Sequence, residues 1–186
     1  MNEVVVVAVA VVLVTGVAIV IRRRGRDRRR GHSNPTFVCR LDDRLAETHT
    51  ERRTHLERPP TVRELAVVDR VEGDPVYVPV VRVDLGTADT PGLELVFEYV
   101  ASVLEAIHPE LADERVRHYD LQFTFGPGGL LVSGECRRVS VPPELADRLV
   151  SEPRYRPRDL HRDVKRGDDG GEEAPVLWGD CRSDGS

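Results

Sequence analysis

A thiol, an imidazole and a carboxylate are the groups of a thiol hydrolase, and the sequence supplies them close together as Cys136, His118 and Asp120. Catalysis needs the sulfur within hydrogen-bond reach of the ring. From Arg117 to Phe125 the chain alternates, with Tyr119, Leu121, Phe123 and Phe125 on one face and His118, Asp120, Gln122 and Thr124 on the other. A turn at Gly126-Pro127-Gly128-Gly129 followed by a strand from Leu130 to Val141 pairs Phe125 with Leu130, Phe123 with Val132, Leu121 with Gly134 and Tyr119 with Cys136. In that register Cys136 enters the core as an inert thiol while His118 and Asp120 face outward, so no nucleophile meets its base. His118, Asp120, Glu135 and Arg137 gather instead on the outer face. There Asp120 lies opposite Glu135 and Arg137 compensates the like charges, the pattern of a solvated face first and of a surface for a polar ligand or a protein partner second. Val139 and Val141 fall out of phase with Val132, which predicts a bulge near Arg137 and Arg138.

Other reactive types do not assemble. Cys39, His49 and His55 offer three metal-ligand types, but their gaps match no zinc finger or knuckle. The cysteines Cys39, Cys136 and Cys181 are odd in number, widely spaced and without a CxxC pair, so free thiols in a reducing cytoplasm are expected. Asp84-Leu85-Gly86-Thr87-Ala88-Asp89-Thr90 resembles the first phosphate-binding loop of the actin and sugar-kinase superfamily, which implies a turn around nucleotide phosphates. The resemblance covers these seven residues only. That superfamily uses two large subdomains and a second phosphate loop, for which this chain is too short, and a helix follows here in place of a returning strand. An ordinary strand-to-helix turn is therefore expected, with no cofactor, nucleotide or metal site. Val176-Leu177-Trp178 holds the single tryptophan, which could anchor in a partner or dock on the protein's own sheet edge.

The charge pattern is more decisive than any motif. The chain has 27 basic and 32 acidic residues, a formal net charge of -5, and its basic set is almost wholly arginine. Arg22, Arg23, Arg24, Arg26, Arg28, Arg29 and Arg30 stand against Asp27 alone, so this collar is strongly basic and everything after it is acidic. An acidic body argues against general nucleic-acid affinity. The excess of carboxylates with much Val and few aromatics is a composition suited to high salt.

Val4 to Ile21 precedes the collar as a run of Val, Ala, Leu and Ile broken only by Thr15 and Gly16. As a helix it would reach roughly 27 Å, close to the thickness of a bilayer's hydrocarbon. A cleaved signal carries its positive charge before the apolar core, and here the charge follows it. The expectation is a signal-anchor with a short N-terminus outside and the remainder in the cytoplasm. The seven arginines would also meet anionic lipid headgroups.

Five stretches follow from this reading: an extracytoplasmic 1–3, a transmembrane helix at 4–21, a basic juxtamembrane linker at 22–60 with at most one weak helix, a small domain at 61–150, and a mostly disordered tail at 151–186. Within the domain, Thr61 and Glu64 form a capping-box pattern that predicts a helix from Val62 to about Asp69. Glu72 to Pro75 is a turn, and Val76 to Leu85 a strand that Pro79 assigns to a sheet edge or a bulge. Thr90 and Pro91 open a helix whose apolar stripe runs from Leu93 to Ile107, ended by His108-Pro109. Glu144 to Val150 forms a last short helix. The fold class expected is α+β: a two-layer domain, antiparallel or mixed sheet, with one main amphipathic helix. The function expected is a non-enzymatic interaction module held at the membrane by one spanning helix. The alternative is a small ligand-binding or enzymatic domain with a pocket between helix and sheet, served by His118, Asp120 and Glu135.

Overall fold

The computed structural model describes residues 35–52, 56–126, 134–168 and 175–181. The apolar run and the arginine collar lie outside them. Among the described residues no helix is long and apolar enough to cross a membrane.

The described chain is α+β: helix α1 (Pro35–Arg52), strands β1 (Thr61–Val71) and β2 (Asp74–Asp84), helix α2 (Leu93–Ile107), a 3-10 turn (Pro109–Leu111), strands β3 (Arg115–Val116), β4 (Tyr119–Phe125) and β5 (Glu135–Val141), helices α3 (Pro143–Ser151) and α4 (Pro157–Gly167), and strand β6 (Gly179–Asp180). The six-stranded sheet is mixed, in the order β1-β2-β4-β5-β6, with β3 paired to β2. Only the β2 pairings with β3 and β4 are parallel. Helix α2 is the crossover that lets β4 return beside β2 in the same direction.

Helix α2 is the centre of the core. Val96, Phe97, Val100, Val103, Leu104 and Ile107 form its buried stripe and meet Val81, Val83, Leu121, Phe123, Val139 and Val141 of the sheet. Helices α1, α3 and α4 flank α2 and contribute Leu41, Leu45, Ala146, Leu149, Leu160 and Val164 to the same cluster. The helix begins at Leu93 with Gly92 as its N-cap, two residues beyond the Thr90 cap expected, and no side chain caps its first amides.

Three expectations about helices are overturned. Where the polar stretch before Pro60 predicted a linker with at most a weak helix, α1 runs for 18 residues and buries Leu41 and Leu45. Its Asp42 carboxylate accepts the Val62 amide at 2.7 Å, fixing the helix to the first strand. Residues 62–69 are strand, not helix. Two register shifts give β1 an extra residue between Val62 and Glu64 and another between Val67 and Asp69. The first puts Val62 and Leu65 on one buried face, a spacing of three that imitates a helical stripe. Third, the supposedly disordered tail contains α4, begun by Pro157 and a reciprocal cap between Arg156 and Asp159, with Leu160 and Val164 fully buried.

Pro79 lies in an interior strand. The Tyr77 carbonyl accepts from Arg117, so by alternation the Pro79 nitrogen points the same way, into the interval between the β3 and β4 ladders where no donor is needed. The β1–β2 hairpin turns on Glu72 and Gly73, both with positive φ, a conformation whose twist suits a two-residue hairpin.

The β4–β5 hairpin has another register from the one expected. Tyr119 pairs with Val141, Leu121 with Val139, Phe123 with Arg137, Thr124 with Cys136 and Phe125 with Glu135. Val139 and Val141 thus join the buried face and no bulge is needed at Arg137. The change inverts every side chain of β5.

Candidate interaction surface

That inversion redistributes the polar residues picked out from the sequence. Asp120 is opposite Ser140 on the face away from α2, and both are buried. Glu135 and Arg137 are on the helix side, across from Phe125 and Phe123. Asp120 and Glu135 are therefore on opposite faces, and the five positions from Asp120 to Phe125, Glu135's partner, span roughly 17 Å of strand. His118 precedes β4, half-buried. The expected grouping of His118, Asp120, Glu135 and Arg137 does not form, and a shared catalytic pocket cannot be built from it.

Cys136 shares the outer face with Asp120, and its sulfur is bonded to Cys181, with the two Cα atoms 5.5 Å apart. The expected buried, inert thiol is a disulfide. The spacing rule missed it because the partners are 45 residues apart, and only the strand pairing of β6 with β5 brings them together. Cys39 is a free, exposed cysteine on α1. Among the described residues no three His, Cys, Asp or Glu side chains cluster as a metal site; His55 lies outside them.

The outer face carries a row that sequence reasoning did not pick out. Arg82 of β2 pairs with Gln122 of β4, which pairs with Arg138 of β5. Two guanidinium groups thus flank one amide, their Cα atoms about 10 Å apart by strand spacing. Arg138 forms an ion pair with Asp120 at 3.7 Å, both side chains nearly buried. The Nε atoms of Arg82 and Arg138 are buried without an acceptor. A buried guanidinium N–H lacking an acceptor is a costly group. The alternation of β2 held the signal, since Arg82 interrupts a run of valines.

Trp178 lies on its own protein. Its ring is stacked at 6.1 Å on Phe125 and tilted at 6.0 Å to Phe123. The strap from Pro175 to Cys181 follows the outer edge of β5. Ser140 N donates to Val176 O at 2.8 Å, Cys181 N to Cys136 O at 3.3 Å, and Leu177 N to the Asp168 carboxylate at 3.1 Å. Arg137 pairs with Asp180 across the β5–β6 ladder.

A second polar chain was also unanticipated. His108, at the end of α2, links Tyr119 Oη through Nδ1 at 2.6 Å and Asp147 through Nε2 at 2.8 Å. The order of groups is that of a proton relay, but Tyr119 is 1% exposed and no substrate could reach its hydroxyl. Burial, with Asp147 nearby, pushes the Tyr119 phenol well above its usual range. The chain is a strut between α2, α3 and β4. Between α1 and α2, Leu45, His49, Leu56, Tyr99 and Val103 line a crevice with room for about one water molecule.

The Asp84–Thr90 segment is a turn held by its own side chains and by the end of β4. Asp84 Oδ1 accepts from Gly86 N, Thr87 Oγ1 from Asp89 N, and Leu85 N donates to Thr124 O. No protein-family model, curated protein or solved structure matches this chain.

Proposed function

We propose that this chain is a non-enzymatic interaction module, tethered to the membrane by the Val4–Ile21 segment with its domain in the cytoplasm, and that its outer sheet face binds a protein partner. The observation that carries the reading is the Arg82–Gln122–Arg138 row, polar groups spread along three strands instead of converging on a cleft. The matching partner surface offers a carboxylate to Arg82 and an amide or backbone pair to Gln122, both of them half-buried side chains with part of their surface still open. Asp120 already partners Arg138, whereas Arg82 has no ion pair among the described residues. The tether and its orientation are supported by the apolar run and the arginines that follow it.

Two experiments test this. Full-length protein crosslinked in membranes is compared with Arg82→Glu and with Glu98→Ala, an exposed residue of α2 on the other side of the molecule. A partner recovered with wild type and Glu98→Ala but reduced at least about tenfold with Arg82→Glu is expected. Equal recovery with Arg82→Glu, or no partner with any form, defeats the proposed surface. For orientation, a C-terminal epitope is expected to resist protease in intact cells and to be cut after permeabilisation. Cleavage in intact cells would place the domain on the other side.

A further inference from the structure

We propose that Cys136 and Cys181 form a reversible thiol–disulfide latch which fastens the strap 175–181 along β5, and that a dithiol reductant opens it. The inference rests on the cytoplasmic placement proposed above. A disulfide in such a compartment is characteristically transient and redox-sensing, whereas the same bond outside would be a permanent staple.

The geometry suits a latch. The strap is held near its start by Leu177 N on Asp168, just beyond α4, and at its far end by the disulfide. Between these points the ladder with β5 has two residue pairs, Arg137 with Asp180 and Arg138 with Gly179. The Ser140 N–H bond to Val176 O, the Arg137–Asp180 ion pair and the aromatic contact of Trp178 with Phe123 and Phe125 are the other holding interactions. So short a ladder, with few buried contacts, belongs to the low end of local stability, and the covalent bond decides whether it stays closed. Both cysteines are partly exposed, so a thiolate can reach the bond. Opening uncovers the outer hydrogen-bonding edge of β5 and the Phe125 ring, the kind of edge that proteins keep covered.

The exchange balances as follows. One thiolate of the dithiol attacks a sulfur of the Cys136–Cys181 bond, forming a mixed disulfide and releasing the other cysteine as a thiolate that takes up a proton. The second thiol of the reductant, deprotonated, then displaces the remaining cysteine, which is likewise protonated. Two electrons and two hydrogens pass to the protein, which gains two thiols, and the dithiol becomes a disulfide.

The test uses the full chain in detergent micelles, oxidised with diamide or reduced with dithiothreitol. Alkylation followed by mass measurement is expected to count one reactive cysteine, Cys39, when oxidised and three when reduced. Upon reduction the emission of Trp178, the single tryptophan, moves to longer wavelength, and hydrogen exchange at the Ser140 and Cys181 amides speeds up at least about tenfold. Cys181→Ser reproduces the reduced state under both conditions. Unchanged emission and exchange after reduction would overturn the latch, as would three reactive cysteines in the diamide-treated chain. In cells, acid-trapped protein whose oxidised fraction falls when dithiol is supplied supports the switch. A fraction that stays fully oxidised while the C-terminal epitope is protected rejects the switch alone. The same result with the epitope open to outside protease rejects the cytoplasmic placement, and the switch with it.

Discussion

Tyr119 shows what one residue must satisfy to be buried. Its ring is wanted in the core, its hydroxyl is not, and His108 resolves the conflict by accepting from the O–H at Nδ1 while Nε2–H donates to Asp147. With the proton on Nε2 every polar atom of the chain has its role. His108→Ala would leave the phenol hydroxyl buried and unpaired, and we expect a loss of about 1–3 kcal/mol in denaturant unfolding. Tyr119→Phe removes the group that needs the partner, so it should cost less, and a double-mutant cycle should show the two effects far from additive. Alkali tests the same residue. Burial holds the folded Tyr119 phenol above the ordinary value of about 10. The stability it contributes is therefore complete below that pH and lost as pH rises beyond it, because the unfolded chain ionises first. Melting measured from pH 8 to 11 should fall off at the alkaline end, less steeply in Tyr119→Phe. Nothing in the sequence announced this contact. His108 read as the end of a helix, and only the α2–α3 packing brings Asp147 to it.

Elements were legible where their periods were undisturbed. Helix α2 has an uninterrupted apolar stripe, and β4 alternates strictly, so both stand where the pattern places them. Strand β1 was not legible because its two bulges convert a period of two into a spacing of three, and Thr61 with Glu64 supplied a plausible cap. The hairpin register was missed for a different reason. The tightest turn favoured Leu130 and Val132, whereas the observed pairing buries Val139 and Val141 at the expense of a longer connection, and loop length costs little. Helix α4 was hidden by its charge, part of which ties it to α3. The Asp163 carboxylate receives Arg148 of α3 at 3.0 Å and Tyr155 at 3.1 Å, and the Arg148 guanidinium lies over the Tyr155 ring. Burial pushes Asp163 upward, but hydrogen bonds from Tyr155, Arg148 and Arg162 outweigh it and hold the carboxyl below its ordinary range. The sign follows: this stabilisation is present above the unfolded value of about 4 and is lost as pH falls below it. Thermal melts at pH 5 and pH 3 should differ more in wild type than in Asp163→Asn. Leu160→Ala, on the buried side of the same helix, should cost about 2–5 kcal/mol at any pH.

At the scale of the molecule, the class, α+β, could be anticipated from the order of strand, helix and hairpin, with the sheet left antiparallel or mixed, but the extent of the domain could not. Both ends of the described chain add to the core: α1 packs on β1 and α2, and the strap closes the other edge of the sheet. Composition was a poor guide there because a few apolar residues, the buried Leu41 and Leu45 at one end and the buried Leu160 and Val164 with the half-buried Trp178 at the other, suffice to order long charged stretches. The disulfide binds that far end to the fold in a way that separates local from global effects. It closes a loop of 45 residues containing α3 and α4, so cutting it enlarges the unfolded ensemble whatever happens to the strap. The loop-closure relation places that contribution at about 4 kcal/mol, reduced if the unfolded chain stays compact. Reduction should therefore lower the denaturant midpoint for the whole domain and, because the unfolded chain becomes less compact, steepen its denaturant dependence. Exchange of α2 amides, which open only with global unfolding, should accelerate by the same free energy, whereas Ser140 and Cys181 should accelerate through local opening as well. Cys136→Ser must match reduced wild type in midpoint if the bond acts through the unfolded chain. A midpoint unchanged by reduction would mean that the sheet and helices never felt the crosslink, and that the C-terminal segment contributes nothing to the stability of the domain it covers.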